Sequence, residues 1–143
     1  MRRVRRALAA LVALLALLAV LTYLAGERTE VAMLRSVDSA GTVHETKLWV
    51  VDLDGTNWVR VGRPGRAWLE RLKEHPDAEL VRSGVARPYR AVVVTDPATR
   101  ERVDAAFAAK YGLVDRWYGL VLRRDPTPVR LDPIAGPREA GGP

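Results

Sequence analysis

Three arginines spaced three residues apart, Arg60, Arg63 and Arg66, are the first candidates for chemistry in this chain. Gly65 stands between the last two, and a short helix is predicted to begin beside Arg66. A glycine-containing loop in front of a helix offers backbone amides and the positive end of a helix dipole to an anion. Because a guanidinium group can donate two parallel hydrogen bonds to a phosphate, the spacing favours a phosphate site at this loop.

Two further groups of residues could complete such a site. Thr46 and Lys47 lie on the strand predicted to run antiparallel to Arg60, which would bring a hydroxyl and an ammonium group to the same neighbourhood. Aromatic side chains could form a wall against a flat ring, and the candidates are Trp49, Trp58, Trp68, Tyr89, Trp117 and Tyr118. The alternatives are solvated arginines, polar residues that protect a strand edge, and aromatic residues that belong to the core.

The elements that must position these residues predict an α+β domain built around a small barrel. Asp54-Gly55 is a hairpin-closing dipeptide, because glycine accepts a positive φ angle. Apolar residues on both faces of the first long strand predict that both faces are covered, as in a barrel with helices packed outside. We predict about six mostly antiparallel strands and two helices. The strands are residues 42–53, 58–61, 78–82, 85–95, 117–122 and 129–131, and the helices are residues 66–75 and 97–111.

The order and spacing of these elements resemble the split β-barrel family of flavin and deazaflavin binders. That family includes pyridoxamine-phosphate-oxidase-like proteins and deazaflavin-dependent nitroreductases. The resemblance rests on VRVGRPGRAWLERLKEHPDAELVRSG at residues 59–84 and YRAVVVTDPATRERVDAAFAAKYG at residues 89–112. It covers roughly residues 42–131.

The resemblance implies an oxidoreductase-like protein that binds FMN or a deazaflavin. In that family a basic strand-to-helix loop holds the cofactor phosphate, which assigns this role to Arg63 and Arg66 first and to Arg60 second. Cofactor contacts are also expected from four neighbouring residues, Gly65, Thr46, Lys47 and Trp68. Many split barrels pair as dimers with the cofactor at the interface, so the resemblance implies a homodimer as well.

The other residue types that carry chemistry narrow the classes of site. His44 and His75 are the two histidines, and His75 before Pro76 fits a helix end. Haem is therefore not expected, although some split barrels bind it. The chain has no cysteine, which removes thiolate metal sites and cysteine nucleophiles. No catalytic acid–base pair or metal cluster can be proposed, which is compatible with a cofactor that supplies its own chemistry.

An apolar run from Ala7 to Ala25 follows four arginines, at residues 2, 3, 5 and 6. The run predicts an uncleaved signal anchor that forms a transmembrane helix. The membrane is then a predicted partner of the protein, contacted through residues 7–25. The positive-inside rule then places the N-terminus in the cytoplasm and the domain outside, as in a single-pass membrane protein. A cleaved signal peptide is the alternative, but Tyr23 or Leu24 would stand where cleavage needs a small residue.

The charge balance and the domain boundaries follow from this anchor. The formal net charge is +6, and the four arginines before the anchor supply four of those charges, which leaves +2. Nucleic acid is therefore not expected as a partner. We predict a membrane anchor at residues 1–26, a spacer at 27–41, the split barrel at 42–132 and a disordered tail at 133–143. Two functions stay open: a membrane-anchored FMN- or deazaflavin-binding oxidoreductase-like protein, and a cofactor-free, membrane-tethered split-barrel interaction module.

Overall fold

The computed structural model describes residues 2–27, 30–63, 65–121 and 125–135. These residues form three helices and six strands. In chain order they are α1 (Arg2–Glu27), β1 (Val31–Val37), β2 (Val43–Leu53), β3 (Thr56–Val61), α2 (Ala67–Glu74), β4 (Asp77–Arg82), β5 (Val85–Val93), α3 (Pro97–Val121) and β6 (Thr127–Pro133).

The strands close into one barrel in the order β1-β2-β3-β6-β5-β4. Every neighbouring pair is antiparallel, including β1 with β4, which completes the ring. The hairpin between β2 and β3 turns at Asp54 and Gly55, whose φ angles are 54° and 73°, in agreement with the turn predicted there. The prediction of a small α+β barrel of about six antiparallel strands is therefore confirmed.

Alternation along the strands builds two cores, one inside the barrel and one on its outer face. On β2, Val50 belongs to the inner core and Val51 to the outer core, because successive side chains of a strand point to opposite faces. Helix α2 adds Trp68, Leu69 and Leu72 to the inner core. Helix α3 covers part of the outer face, where the buried cluster is Val51, Trp58, Val103, Phe107 and Tyr111.

Strand β1 is an element that the sequence does not reveal. It lies within residues 27–41, the predicted spacer, so the barrel begins before Thr42. Its buried face consists of Ala32, Leu34 and Ser36, and a small polar residue in that set weakens the apolar alternation. At the other end of the barrel, β6 runs to Pro133, and residues 136–143 of the predicted tail lie outside the described residues.

Residues 117–121, predicted to be part of a strand, are helical and belong to α3. Gly112 has a φ angle of 56° and a ψ angle of −128°, so the first helical segment stops there, where the sequence predicts its end. A second segment starts directly after it. Leu113, Trp117 and Leu120 recur at the spacing of one helix face, and that periodicity distinguishes the segment from a strand.

The predicted transmembrane helix is wrong. In the part of the chain that the structure describes, no helix combines the length and the apolar character that crossing a membrane requires. Helix α1 begins at Arg2, so the arginine cluster forms its first turns. Two predictions that depend on this helix are therefore wrong as well. They are the single-pass topology with a cytoplasmic N-terminus and an extracytoplasmic domain, and the membrane as a partner through residues 7–25.

Candidate functional site

A cavity of about 420 Å³ opens where β2 and β3 separate. Their pairing runs from Leu53 and Thr56 to Val50 and Val59. Beyond that point β2 continues its pairing with β1, while β3 continues its pairing with β6. The residues that line the cavity are Lys47, Leu48, Trp49, Arg60, Gly62, Arg63, Arg66, Phe107 and Tyr118. We call it the β2–β3 cavity.

The β2–β3 cavity collects four of the seven residues that the sequence proposes for the site. Lys47 comes from β2, Arg60 from β3, and Arg63 and Arg66 from the loop between β3 and α2. Lys47, Arg63 and Arg66 are exposed to solvent, so their charged groups can meet a ligand that enters from outside. The cavity therefore has a basic rim.

The other three proposed residues do not line the cavity. Gly65 lies in the same loop, between the two arginines of the rim, with a φ angle of 73°, a conformation that favours glycine. Thr46 is opposite Leu34 in the β1–β2 ladder. Trp68 is buried in the inner core of the barrel, where its ring packs among apolar side chains.

Arg60 differs from the arginines of the rim because its side chain is only 4% exposed. One of its terminal nitrogens donates a hydrogen bond of 2.5 Å to Asp104, and the other donates to Asp115. Its guanidinium carbon lies 4.2 Å from the centre of the Phe107 ring, within the range of a cation–π contact. The charge of Arg60 is therefore balanced within the protein.

Aromatic rings form the wall of the cavity. Trp49 stacks on Tyr111 with ring centres 4.7 Å apart and an angle of 15° between the planes. Tyr118 meets Trp49 edge to face, with ring centres 5.3 Å apart. The Tyr111 hydroxyl accepts a hydrogen bond of 3.0 Å from the Val50 amide, and burial raises the pKa of Tyr111 above its ordinary value. Tyr111, which supports the wall through its contact with Trp49, is thus held in place and uncharged.

A charged network surrounds Glu30, whose backbone carbonyl accepts a hydrogen bond of 3.0 Å from the Tyr111 hydroxyl. Arg82 donates hydrogen bonds to Glu30 at 2.6 Å and to Asp52 at 2.7 Å, and Lys110 of α3 donates to Glu30 as well. The Arg82 hydrogen bond is the main reason that the pKa of Glu30 falls from 4.5 to about 2. The network ties the start of β1 to the end of β4 and to the helix that carries Tyr111.

The spacing of the arginines does not reveal the two carboxylates that bind Arg60. Asp104 and Asp115 are 44 and 55 residues away from it in the chain. A signal existed for Asp104, since it precedes Phe107 by three residues and Tyr111 by seven, on the helix face that the sequence assigns to the core. Because a buried charge is normally paired, an acidic residue beside a buried stripe is a candidate partner for a cation of the core.

Comparisons with known proteins identify the fold. No family model matches the chain, and no curated protein matches it in sequence. Among solved structures it is similar to the heme storage protein HutZ from Vibrio cholerae, with a TM-score of 0.62 and 16% identity over 77% of this chain and 85% of that chain. A candidate pyridoxamine 5'-phosphate oxidase from Listeria innocua gives a TM-score of 0.57 and 14% identity over 78% of this chain and 89% of that chain.

A third similar structure is a candidate 5-nitroimidazole antibiotic resistance protein from Bacteroides thetaiotaomicron. Its TM-score is 0.59, with 9% identity over 76% of this chain and 75% of that chain. At such low identity these likenesses concern the fold alone. They show that the chain has a split-barrel fold, and the resemblance inferred from the sequence is confirmed at that level.

Proposed function

We propose that this chain is an oxidoreductase-like protein that binds a flavin-type cofactor, FMN or a deazaflavin, in the β2–β3 cavity. One observation carries the proposal: basic and aromatic side chains line the same cavity. The basic residues are Lys47, Arg63 and Arg66, and the aromatic residues are Trp49 and Tyr118. A phosphate group calls for charged donors, and a flat ring system calls for an aromatic surface. A cavity with both features suits a ligand that carries both groups.

The donor set suits the phosphate end of such a ligand. We assign the phosphate to Arg63 and Arg66, with Lys47 opposite them on β2. Gly65 would contribute through its positive φ angle, which shapes the loop between these two arginines. Arg60 takes a different part, because its guanidinium group already donates to two carboxylates. The cavity volume of about 420 Å³ lies within the usual range for small-molecule and cofactor sites.

A bound flavin supplies hydride chemistry from its own ring system, so the chain needs no acid–base pair for that step. The residues of the chain would hold the phosphate at the loop and present one face of the ring to the aromatic wall. Thr46 and Trp68 would act from outside the cavity, through the strand that carries Lys47 and the helix that follows Arg66. FMN and deazaflavins share the groups that this cavity would recognise, and separate titrations of the two into the full chain distinguish them.

Haem suits this cavity less well than a flavin does. Nε2 of His44 lies 2.7 Å from a carboxylate oxygen of Asp38, in the β1–β2 hairpin, and His75 caps the C-terminal end of α2. Neither histidine is among the described residues that line the cavity. A histidine is the common protein ligand of haem iron, so the lining offers nothing of that kind.

A cofactor-free interaction module is the alternative function, and one observation favours it. The second segment of α3 exposes three large apolar side chains, Leu113, Trp117 and Leu120, at 62% exposure or more. Their spacing places them on one face of the helix. An exposed apolar stripe of this kind is typical of a protein contact, and the same stripe would serve the homodimer implied by the resemblance.

Titration of FMN, riboflavin and a deazaflavin into the full chain tests the proposal. We expect FMN to bind more tightly than riboflavin, because only FMN carries the phosphate. Arg63→Ala should weaken FMN binding by roughly ten- to a hundredfold, the effect of losing one charge-assisted hydrogen bond. Arg63→Lys should restore only part of that loss, because lysine keeps the charge without the paired donors.

A matched control comes from an arginine outside the cavity. Arg87 is an exposed residue of β5, and Arg87→Ala should leave FMN binding unchanged. In a chain with both Arg63→Ala and Arg66→Ala, the difference between FMN and riboflavin should shrink. If neither flavin nor deazaflavin binds to the folded wild-type chain, the cofactor proposal is wrong and the interaction module replaces it.

A further inference from the structure

The second segment of α3, residues 113–121, is attached to the barrel in an unusual way. Three of its large apolar side chains face solvent: Leu113 is 79% exposed, Trp117 62% and Leu120 83%. Among residues 113–120, the one fully buried residue is acidic: the side chain of Asp115 is 5% exposed. A surface helix normally packs through an apolar face. Here the buried anchor is a carboxylate.

The geometry of the kink explains how that carboxylate reaches the barrel. At Gly112 the backbone leaves the helical conformation, with a φ angle of 56° and a ψ angle of −128°, and the helix restarts in a new direction. Asp115 then lies against Arg60 of β3 and accepts a hydrogen bond from its guanidinium group. Tyr118 is three residues further along, on the same side of the helix, where it lines the cavity.

We infer that Asp115 is a positioning residue for the β2–β3 cavity, acting through the buried Arg60 to hold the Tyr118 ring against Trp49. Its effect on a ligand rests on the proposed function, whereas its effect on the two rings does not. The edge-to-face contact between those rings, with centres 5.3 Å apart, joins the second segment to β2. Asp115 sets the position from which Tyr118 makes that contact.

Asp104 provides the contrast that makes the inference specific. It accepts a hydrogen bond from the same Arg60, but its side chain is 36% exposed and it belongs to the first segment of α3. That segment is also held by Val103 and Phe107, which are buried in the outer core. Loss of the Asp104 carboxylate therefore leaves the first segment packed, whereas loss of the Asp115 carboxylate removes the buried anchor of the second.

Asparagine at each position removes the charge and nearly keeps the shape. In the full chain without ligand, NMR cross-relaxation between the ring protons of Trp49 and Tyr118 reports on the wall directly. We expect this contact to vanish in Asp115→Asn and to persist in Asp104→Asn. The contact between Trp49 and Tyr111 should persist in both variants, and Asp115→Glu, which keeps the charge, should retain the Tyr118 contact.

Ligand binding gives the second readout. Because an aromatic contact contributes a modest free energy, Asp115→Asn should weaken FMN binding by about three- to tenfold, and Asp104→Asn by less. If wild type binds no flavin, the proposed function fails, and the ring contacts alone decide the inference. Persistence of the Trp49–Tyr118 contact in Asp115→Asn would overturn it. Collapse of the barrel amide spectrum in that variant would overturn it too, because Asp115 would then support the whole fold.

Discussion

At the scale of a single residue, Phe107 contacts both an apolar cluster and a charged group. Its ring is buried in the outer core with Val103 and Tyr111, and its face supports the guanidinium group of Arg60. Removal of the ring would therefore leave both an apolar cavity and a buried cation that has lost part of its surroundings. A large effect on stability follows from either consequence.

Phe107→Ala should lower the free energy of unfolding by about 3–5 kcal/mol, the usual cost of deleting a buried aromatic side chain. Denaturant unfolding monitored by circular dichroism measures it. Leu113→Ala, on the same helix but 79% exposed, is the control and should change stability by less than about 0.5 kcal/mol. A loss under about 1 kcal/mol for Phe107→Ala would show that α3 does not pack on the barrel as described.

The residues of the site differ in how far the sequence reveals them. The basic loop was predictable because Arg63, Gly65 and Arg66 are neighbours in the chain, so their spacing alone suggests an anion. The role of Arg60 was not predictable, because Asp104 and Asp115 lie 44 and 55 residues away. Which arginine a distant carboxylate reaches depends on the packing of α3 against β3, and local spacing carries no record of that packing.

At the scale of elements, α3 is two helices joined at Gly112. The sequence predicts the end of the first helix, because glycine accepts the positive φ that terminates it. The prediction of a strand after it was wrong: the segment has a helical spacing, but it is short and its exposed apolar residues, Leu113, Trp117 and Leu120, face solvent instead of a core. Strand β1 was missed for a related reason: its second neighbour in the barrel, β4, is distant in sequence, and Ser36 interrupts its buried apolar face.

Gly112→Ala should destabilise the chain by about 1–3 kcal/mol through backbone strain alone. A β-carbon at this position would meet no atom within 4 Å, so a steric clash cannot explain the loss. Thermal and denaturant unfolding of the full chain measure the change. Gly119→Ala is the opposite control: α3 is helical at that position, so alanine should be neutral or stabilising there. Equal effects of the two substitutions would contradict the kink.

At the scale of the whole molecule, the network around Glu30 fastens the closure of the barrel. Glu30 stands directly before β1, Arg82 ends β4, and Lys110 belongs to α3. Because the pKa of Glu30 is about 2 in the folded protein and 4.5 when unperturbed, the ionised carboxylate favours the folded state. This contribution is complete above about pH 4.5 and is lost as the pH falls towards 2.

Glu30→Gln should therefore destabilise the protein at neutral pH and matter little near pH 2. The expected loss at pH 7 is roughly 1 kcal/mol, since the carboxylate is partly exposed and solvent screens the pair. Urea unfolding of wild type and variant across this pH range measures it. Glu101→Gln, at an exposed position of α3, should show no such dependence. A difference between wild type and Glu30→Gln that stays constant with pH would refute the linkage.

The type of fold was more predictable than the identity of the segments that form its strands. Alternating apolar residues with tight turns predict a barrel of about six strands, and six strands are described. The predicted set nevertheless contained residues 117–122 in place of β1. The composition of the first residues likewise suggested a membrane span, whereas no helix among the described residues is long and apolar enough to cross a membrane. The approximate number of strands and the turns between them follow from local sequence. The order of the strands depends on how segments pair around the closed barrel.

The unusual attachment of residues 113–120 has a consequence for how such a protein could diversify. None of these described residues belongs to either apolar core, yet Tyr118 forms part of the cavity wall. Substitutions in this segment could therefore reshape the cavity while the barrel keeps its stability. Selection for a different ligand would act on a few exposed positions, free of the constraint that a tightly packed interior places on sequence change. The stability of the fold and the ligand specificity of the cavity could therefore evolve independently.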